Sequence, residues 1–194
     1  MAVTYTNRKG VTYTLARTTT KTGKARSVFV REPHGEPVEA LPPGYRIAES
    51  VNGIVSLVKD IPSVIAPQEV TVLERIVRRH PQAHHYRVGV RGDELEVYER
   101  SGPDAEELAE LLGEIDLRPV RLQRLQDHLD RSARWTAVLR FRLADAEERT
   151  FWLERRCYLG SDEDWLPIGG SAPLPELAQE VIPLLGTEEL FERW

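Results

Sequence analysis

Cysteine is nearly absent. Cys157 is the only one in 194 residues, so an intramolecular disulfide is impossible and a disulfide-framed scaffold is excluded, which fits a reducing compartment. No apolar run approaches the ~18 residues of a spanning helix, and Met1-Ala-Val-Thr-Tyr-Thr-Asn lacks the apolar core of a signal peptide. A cytoplasmic location without membrane contact is the expectation. Acid is missing from the first 31 residues, which carry Arg8, Lys9, Arg17, Lys21, Lys24, Arg26 and Arg31, whereas the other 163 hold nineteen basic against thirty-one acidic side chains. A net charge of -5 argues against a generic nucleic-acid coat protein, so any polyanion contact has to be local.

What is present is a globular composition, 41% hydrophobic and 29% charged, close to the average for folded domains. At this length the chain can bury roughly 70% of its unfolded surface, enough for one domain or two small ones. Apolar groups at period two (Val3/Tyr5, Val11/Tyr13/Leu15, Val28/Val30) predict strands over 2–7, 11–17 and 25–31, with Asn7-Arg8-Lys9-Gly10 as a hairpin turn. Prolines and glycines over 32–44 predict a turn-rich connection with at most a short strand near Val38. Asn52-Gly53 then closes a hairpin between Tyr45–Glu49 and 54–59.

Beyond Pro62 the pattern changes. A helix over 67–80 opens on Pro67 and aligns Val70, Leu73, Ile76 and Val77; strands over 86–91 and 94–100 follow, then a helix over 103–112. A helix over 119–131, strands over 135–143 and 148–158, and a helix over 174–185 that Pro183 should kink or shorten repeat the αββα order. The expectation is an α+β protein: a β-rich part over 1–62, hairpins in a meander, and a mixed part over 63–194 that a diverged repeat of 67–113 and 119–186 would explain.

The candidate contact surface is the loop Arg17-Thr-Thr-Thr-Lys21-Thr-Gly23-Lys24-Ala-Arg26. Its cations supply charge to phosphates or carboxylates, and its threonine hydroxyls can donate hydrogen bonds. Arg8 and Lys9 are secondary candidates, since successive turns of a meander lie at opposite ends. The competing account is a solvated hairpin whose charges discourage strand pairing or meet the acidic remainder of the chain. Gly23-Lys24 is no phosphate-binding P-loop, because Thr18 stands where the first glycine belongs and Ala25 where serine or threonine belongs.

Other motifs are weaker. His80, His84 and His85 read as a helix end and a polar loop, and Cys157 has no CxxC partner, so neither metal nor other cofactor is expected. Asp162-Glu163-Asp164 reads as an exposed acidic loop. Glu154-Arg155-Arg156 invites comparison with nuclease strands carrying Glu-x-Lys, but an arginine that cannot readily lose its proton replaces the lysine. Trp194, with Leu190 and Phe191, either docks on its own domain, the favoured expectation, or contacts a second copy. The reading that follows is a non-catalytic binding or adaptor protein, contacting nucleic acid or an acidic protein surface through Arg17, Lys21, Lys24 and Arg26. The alternatives are a small metal-dependent hydrolase using Asp162, Asp164 and His84, and a structural subunit of an oligomer.

Overall fold

The structure is a computed structural model that describes residues 1–20, 22–32, 35–111, 119–159 and 162–192, without the side chains of 119, 120, 158, 159, 162 and 163. In chain order the strands are β1 (Thr4–Thr6), β2 (Thr12–Thr19), β3 (Ala25–Val30), β4 (Glu36–Pro37), β5 (Tyr45–Glu49) and β6 (Val55–Lys59), then helix α1 (Pro67–Val77). They are followed by β7 (Tyr86–Arg91), β8 (Glu94–Ser101), α2 (Ala105–Leu111) and α3 (Pro119–Ser132). The rest comprises β9 (Arg134–Asp145), β10 (Thr150–Leu159), β11 (Asp162–Pro167), β12 (Ala172–Pro173), α4 (Leu174–Val181) and α5 (Glu189–Glu192). This is an α+β fold with antiparallel sheets. No described helix is long and apolar enough to cross a membrane.

Contacts divide the chain into two compact units, Met1–Ile61 with Ser101–Arg134, and Pro62–Arg100 with Trp135–Trp194. Helices α2 and α3, which the αββα order assigns to separate repeats, pack on each other within the first unit. Asp104 opens α2 by accepting from the amides of Glu106 (2.9 Å) and Glu107 (2.8 Å), while its own amide donates to Glu107 Oε2 (3.0 Å). That reciprocal cap satisfies donors that the first turn leaves open. Gln126 of α3 then accepts from the Ala105 amide at 3.0 Å.

In the first unit β2 is central, flanked by β3 on one edge and by both β1 and β4 on the other. Tyr13 and Leu15 fill the core from one face of β2. The β5–β6 hairpin is tied to the β1–β2 turn through Asn7, only 5% exposed. Its Nδ2 donates to the Gly53 carbonyl at 2.6 Å, and its Oδ1 accepts from the amides of Lys9 (3.0 Å) and Val11 (2.8 Å). Gly53 has φ +76°, and a Cβ there would stand 3.1 Å from Asn7 Nδ2 and 3.3 Å from the Lys9 stem, so glycine answers both the turn and the approach. Asn7→Ala removes the acceptor of the part-buried Lys9 and Val11 amides and one donor to the buried Gly53 carbonyl, which keeps the Tyr13 hydroxyl at 3.4 Å, at about 1–3 kcal/mol for each group left unsatisfied. The expected result is a loss of about 3 kcal/mol, read as a lower urea midpoint at unchanged slope; a shift near zero would mean that Asn7 is no staple.

The second unit carries a sheet in the order β11-β10-β9-β8-β7, with β12 also on β10. Residues of one parity (Leu95, Val97, Leu139, Phe141, Phe151, Leu153) face a core closed by Leu73 and Val77 of α1 and by Leu174, Leu177, Ala178 and Val181 of α4. Glu69 secures the start of α1, accepting from the Ala66 amide at 2.7 Å, and is gripped by both Nε (2.9 Å) and Nη2 (2.5 Å) of Arg149 in the β9–β10 turn. Helix α4 stops at Val181 and passes into a 3-10 turn over Ile182–Leu184, the shortening expected of Pro183, whose ring and missing N–H end the α-helical ladder. Asp162 to Asp164 do not form a loop, since β11 pairs them with Leu159, Tyr158 and Cys157. An edge strand needs only one paired side and tolerates charge.

Candidate functional site

The two basic turns have different fates. Arg8 is spent inside the first unit: Nε donates to Glu49 Oε1 at 2.7 Å, the Arg8 amide donates to the same oxygen at 3.1 Å, and Nη2 donates to the Ser50 carbonyl at 3.0 Å. Tyr5 adds a hydroxyl to Glu49 Oε2 at 3.0 Å. Burial pushes the Glu49 carboxyl up, but the hydrogen bonds from Arg8 and Tyr5 outweigh it and hold the group below the usual carboxylate range. Lys9 Nζ donates to the Ala133 carbonyl at the end of α3 at 2.8 Å. Arg31 lies over the Tyr13 ring at 5.5 Å and donates to its hydroxyl at 3.1 Å. These cations meet their own unit.

Arg17, Lys24 and Arg26 do not. All three are exposed, and among the described residues none forms an ion pair within 4.0 Å. Glu36, the cross-strand neighbour of Arg17 on β4, makes none with it. Register fixes their placement: Arg17 pairs with Ser27, while Arg26 pairs with Thr18, so the two arginines project from opposite faces of the β2–β3 ribbon. The antiparallel β1-β2-β3 order puts this tip at the far end from Arg8 and Lys9. Lys21 lies outside the described residues.

The tip is braced from within. Thr20 N–H donates to the Lys24 carbonyl (2.8 Å), Gly23 N–H to the Thr20 carbonyl (2.9 Å) and Lys24 N–H to Thr20 Oγ1 (3.1 Å), and the Thr20 and Thr22 hydroxyls meet at 2.9 Å. Thus Thr20 serves the turn, which is the local bonding that makes threonine a turn residue. Behind it, Gly35 at φ +90° rests against the Arg17 carbonyl, where a Cβ would come within 2.5 Å.

Of the residues of the hydrolase alternative, His84 and Asp164 do not meet. His84 precedes β7 and Asp164 sits on β11, the two opposite edges of the five-strand path; four strand spacings separate them, roughly 19 Å. The Asp162 side chain lies outside the described residues. Asp164 Oδ1 accepts from the Trp165 amide at 2.8 Å. His80 Nδ1 accepts from the Gln82 amide at 3.1 Å, and its ring meets Tyr86 edge-on at 5.0 Å. It borders a cleft of about 340 Å³ with Ile76, Gln179 and Ile182, in which no described acidic side chain takes part. In the C-terminal segment Leu190 is buried in the core, whereas Phe191 is 56% exposed, with the Arg155 guanidinium 5.3 Å from its ring centre; Trp194 lies outside the described residues.

Sequence reasoning missed an ionic lattice on the other face of the second sheet. Arg140 on β9 reaches Glu94 on β8 (3.3 Å) and Glu154 on β10, Arg142 adds a second contact to Glu154 (3.3 Å), and the Arg140 guanidinium lies 4.5 Å from the Trp165 ring centre. Glu96 and Glu154 are 2% and 4% exposed, and the Tyr98 hydroxyl donates to Glu96. Burial and that carboxylate raise the Tyr98 phenol, keeping it protonated as a donor. The signal was available as charge at period two in Glu94-Leu-Glu96-Val-Tyr98 and Arg140-Phe-Arg142. With its carboxylates engaged by arginines and a phenol, the lattice holds three strands together.

Comparison with known proteins yields no match to a protein-family model, a curated protein or a solved structure.

Proposed function

We propose that the protein is a non-catalytic binding protein that contacts an anionic partner, nucleic acid or an acidic protein surface, through the tip of the β2–β3 ribbon. One observation carries this reading: of the early cations, Arg8, Lys9 and Arg31 bond within their own unit, whereas Arg17, Lys24 and Arg26 stand exposed without ion pairs among the described residues. The internal bracing of the tip supports it too, since a preordered turn loses less entropy on binding. A partner held by these three charges releases about three counterions, giving a slope near -2.7 in log K against log salt for duplex DNA. Fluorescence anisotropy of the full chain with DNA, RNA and a glutamate-rich peptide, over a salt series, measures it. The expected result is low-salt binding that the combined Arg17→Gln, Lys24→Gln and Arg26→Gln variant abolishes with its melting temperature unchanged. Equal binding by that variant would sink the reading.

A further inference from the structure

The placement of Arg17 and Arg26 on opposite faces narrows the partner. A flat acidic surface meets one face of a ribbon and uses one of the two arginines; a groove with negative walls on both sides uses both. Resting on the reading above, we infer that the β2–β3 ribbon enters the major groove of double-stranded DNA, with Arg17 and Arg26 on the phosphates of the two opposite walls and Lys24 leading. The ribbon has the shape this requires. Strand β4 pairs with β2 at Ala16 and Arg17, and beyond Arg17 the ladder among the described residues continues as β2 and β3 alone, paired through Thr18–Arg26 and Thr19–Ala25, with β6 packed against β3. Apart from the cations, the described residues from Thr18 to Ser27 are threonine, glycine, alanine and serine, so the other side chains of the ribbon are short. A two-stranded β-ribbon fits the major groove of B-form DNA, about 12 Å wide. The corresponding groove of A-form RNA is deep and too narrow, and a single strand has no second wall. The hydroxyls of Thr18, Thr19 and Ser27 flank the arginines and are suited to phosphate oxygens.

The test is anisotropy of the full chain with a short DNA duplex, an RNA duplex of the same sequence, the DNA single strand and a glutamate-rich peptide, repeated for Arg17→Gln and Arg26→Gln separately. The inference expects the DNA duplex to bind at least about tenfold more tightly than the other three, each substitution to flatten the salt slope by about 0.9, and a minor-groove dye not to compete. RNA, single strand or peptide bound as tightly as the duplex, a slope sensitive to only one arginine, or displacement by the dye would each overturn the groove while leaving the anionic-partner reading intact. No binding to any polyanion at low salt, or duplex binding indifferent to both substitutions, would remove both.

Discussion

Arg140→Ala is expected to destabilise the second unit by about 3 kcal/mol, the lower end of the range for breaking a buried ion pair by removing one partner. The residue links β8, β9 and β10 through Glu94 and Glu154 and covers the Trp165 ring. Its loss leaves the Glu154 carboxylate, whose side chain is 5% exposed, with Arg142 as its remaining ion-pair partner among the described residues. The deficit should depend on pH. Burial holds the Glu94 carboxyl above its ordinary value even though Arg140 pulls it down, so without Arg140 it rises further. A carboxyl raised in the folded state favours folding most when both states are protonated, and that advantage is lost as pH rises through the folded value. The variant should therefore lie closest to wild type at acid pH and fall away towards neutrality. Urea unfolding at several pH values measures this; a pH-independent deficit would mean that the loss is one of packing alone. A paired Arg140→Met, Glu154→Leu variant separates the two further, since replacing a whole buried pair by apolar groups is often close to neutral.

Phe141→Ala should cost about 3–5 kcal/mol through lost apolar transfer and the cavity left behind. The ring is fully buried, paired across the sheet with Leu153 and enclosed in the cluster that α1 and α4 close. Phe141→Leu, which keeps most of the volume, should lose much less. The tryptophans make the measurement selective: they stand at 135, 152, 165 and 194, all in the second unit, so their fluorescence reports its unfolding. Phe141→Ala should lower the tryptophan midpoint. A shift below about 1 kcal/mol, no more than an average substitution produces, would show that the core does not depend on this ring.

Much of the architecture was legible because local chemistry and fold agree. Alternating apolar groups in 11–17 and the Asn52-Gly53 turn need no distant information, and the observed strands β2, β5 and β6 follow them. Strand β11 was illegible because Asp162-Glu163-Asp164 carries the composition of a loop; what makes it a strand is its ladder with β10. The grouping of 101–134 with the first 61 residues was equally invisible, since no local signal states that Lys9 reaches the Ala133 carbonyl. In the candidate site, the segregation of early charge was plain in the sequence, but which cations were already spoken for was not. Glu49 lies forty-one residues beyond Arg8, and the opposite facing of Arg17 and Arg26 depends on the register of the pair that joins them.

The interleaving of the two units governs the order in which the chain is able to fold as it is made. The first unit is incomplete until residue 134 has left the ribosome, and at about 5–20 residues per second the wait after residue 61 is about 4–15 s. Within that interval α2 is complete at Leu111 but α3 only at Ser132, and until Ala133 emerges Lys9 has no carbonyl there to reach. The basic, threonine-rich strands are thus made first, and the unit they belong to is completed only after the intervening segment 62–100 of the other unit has been synthesised.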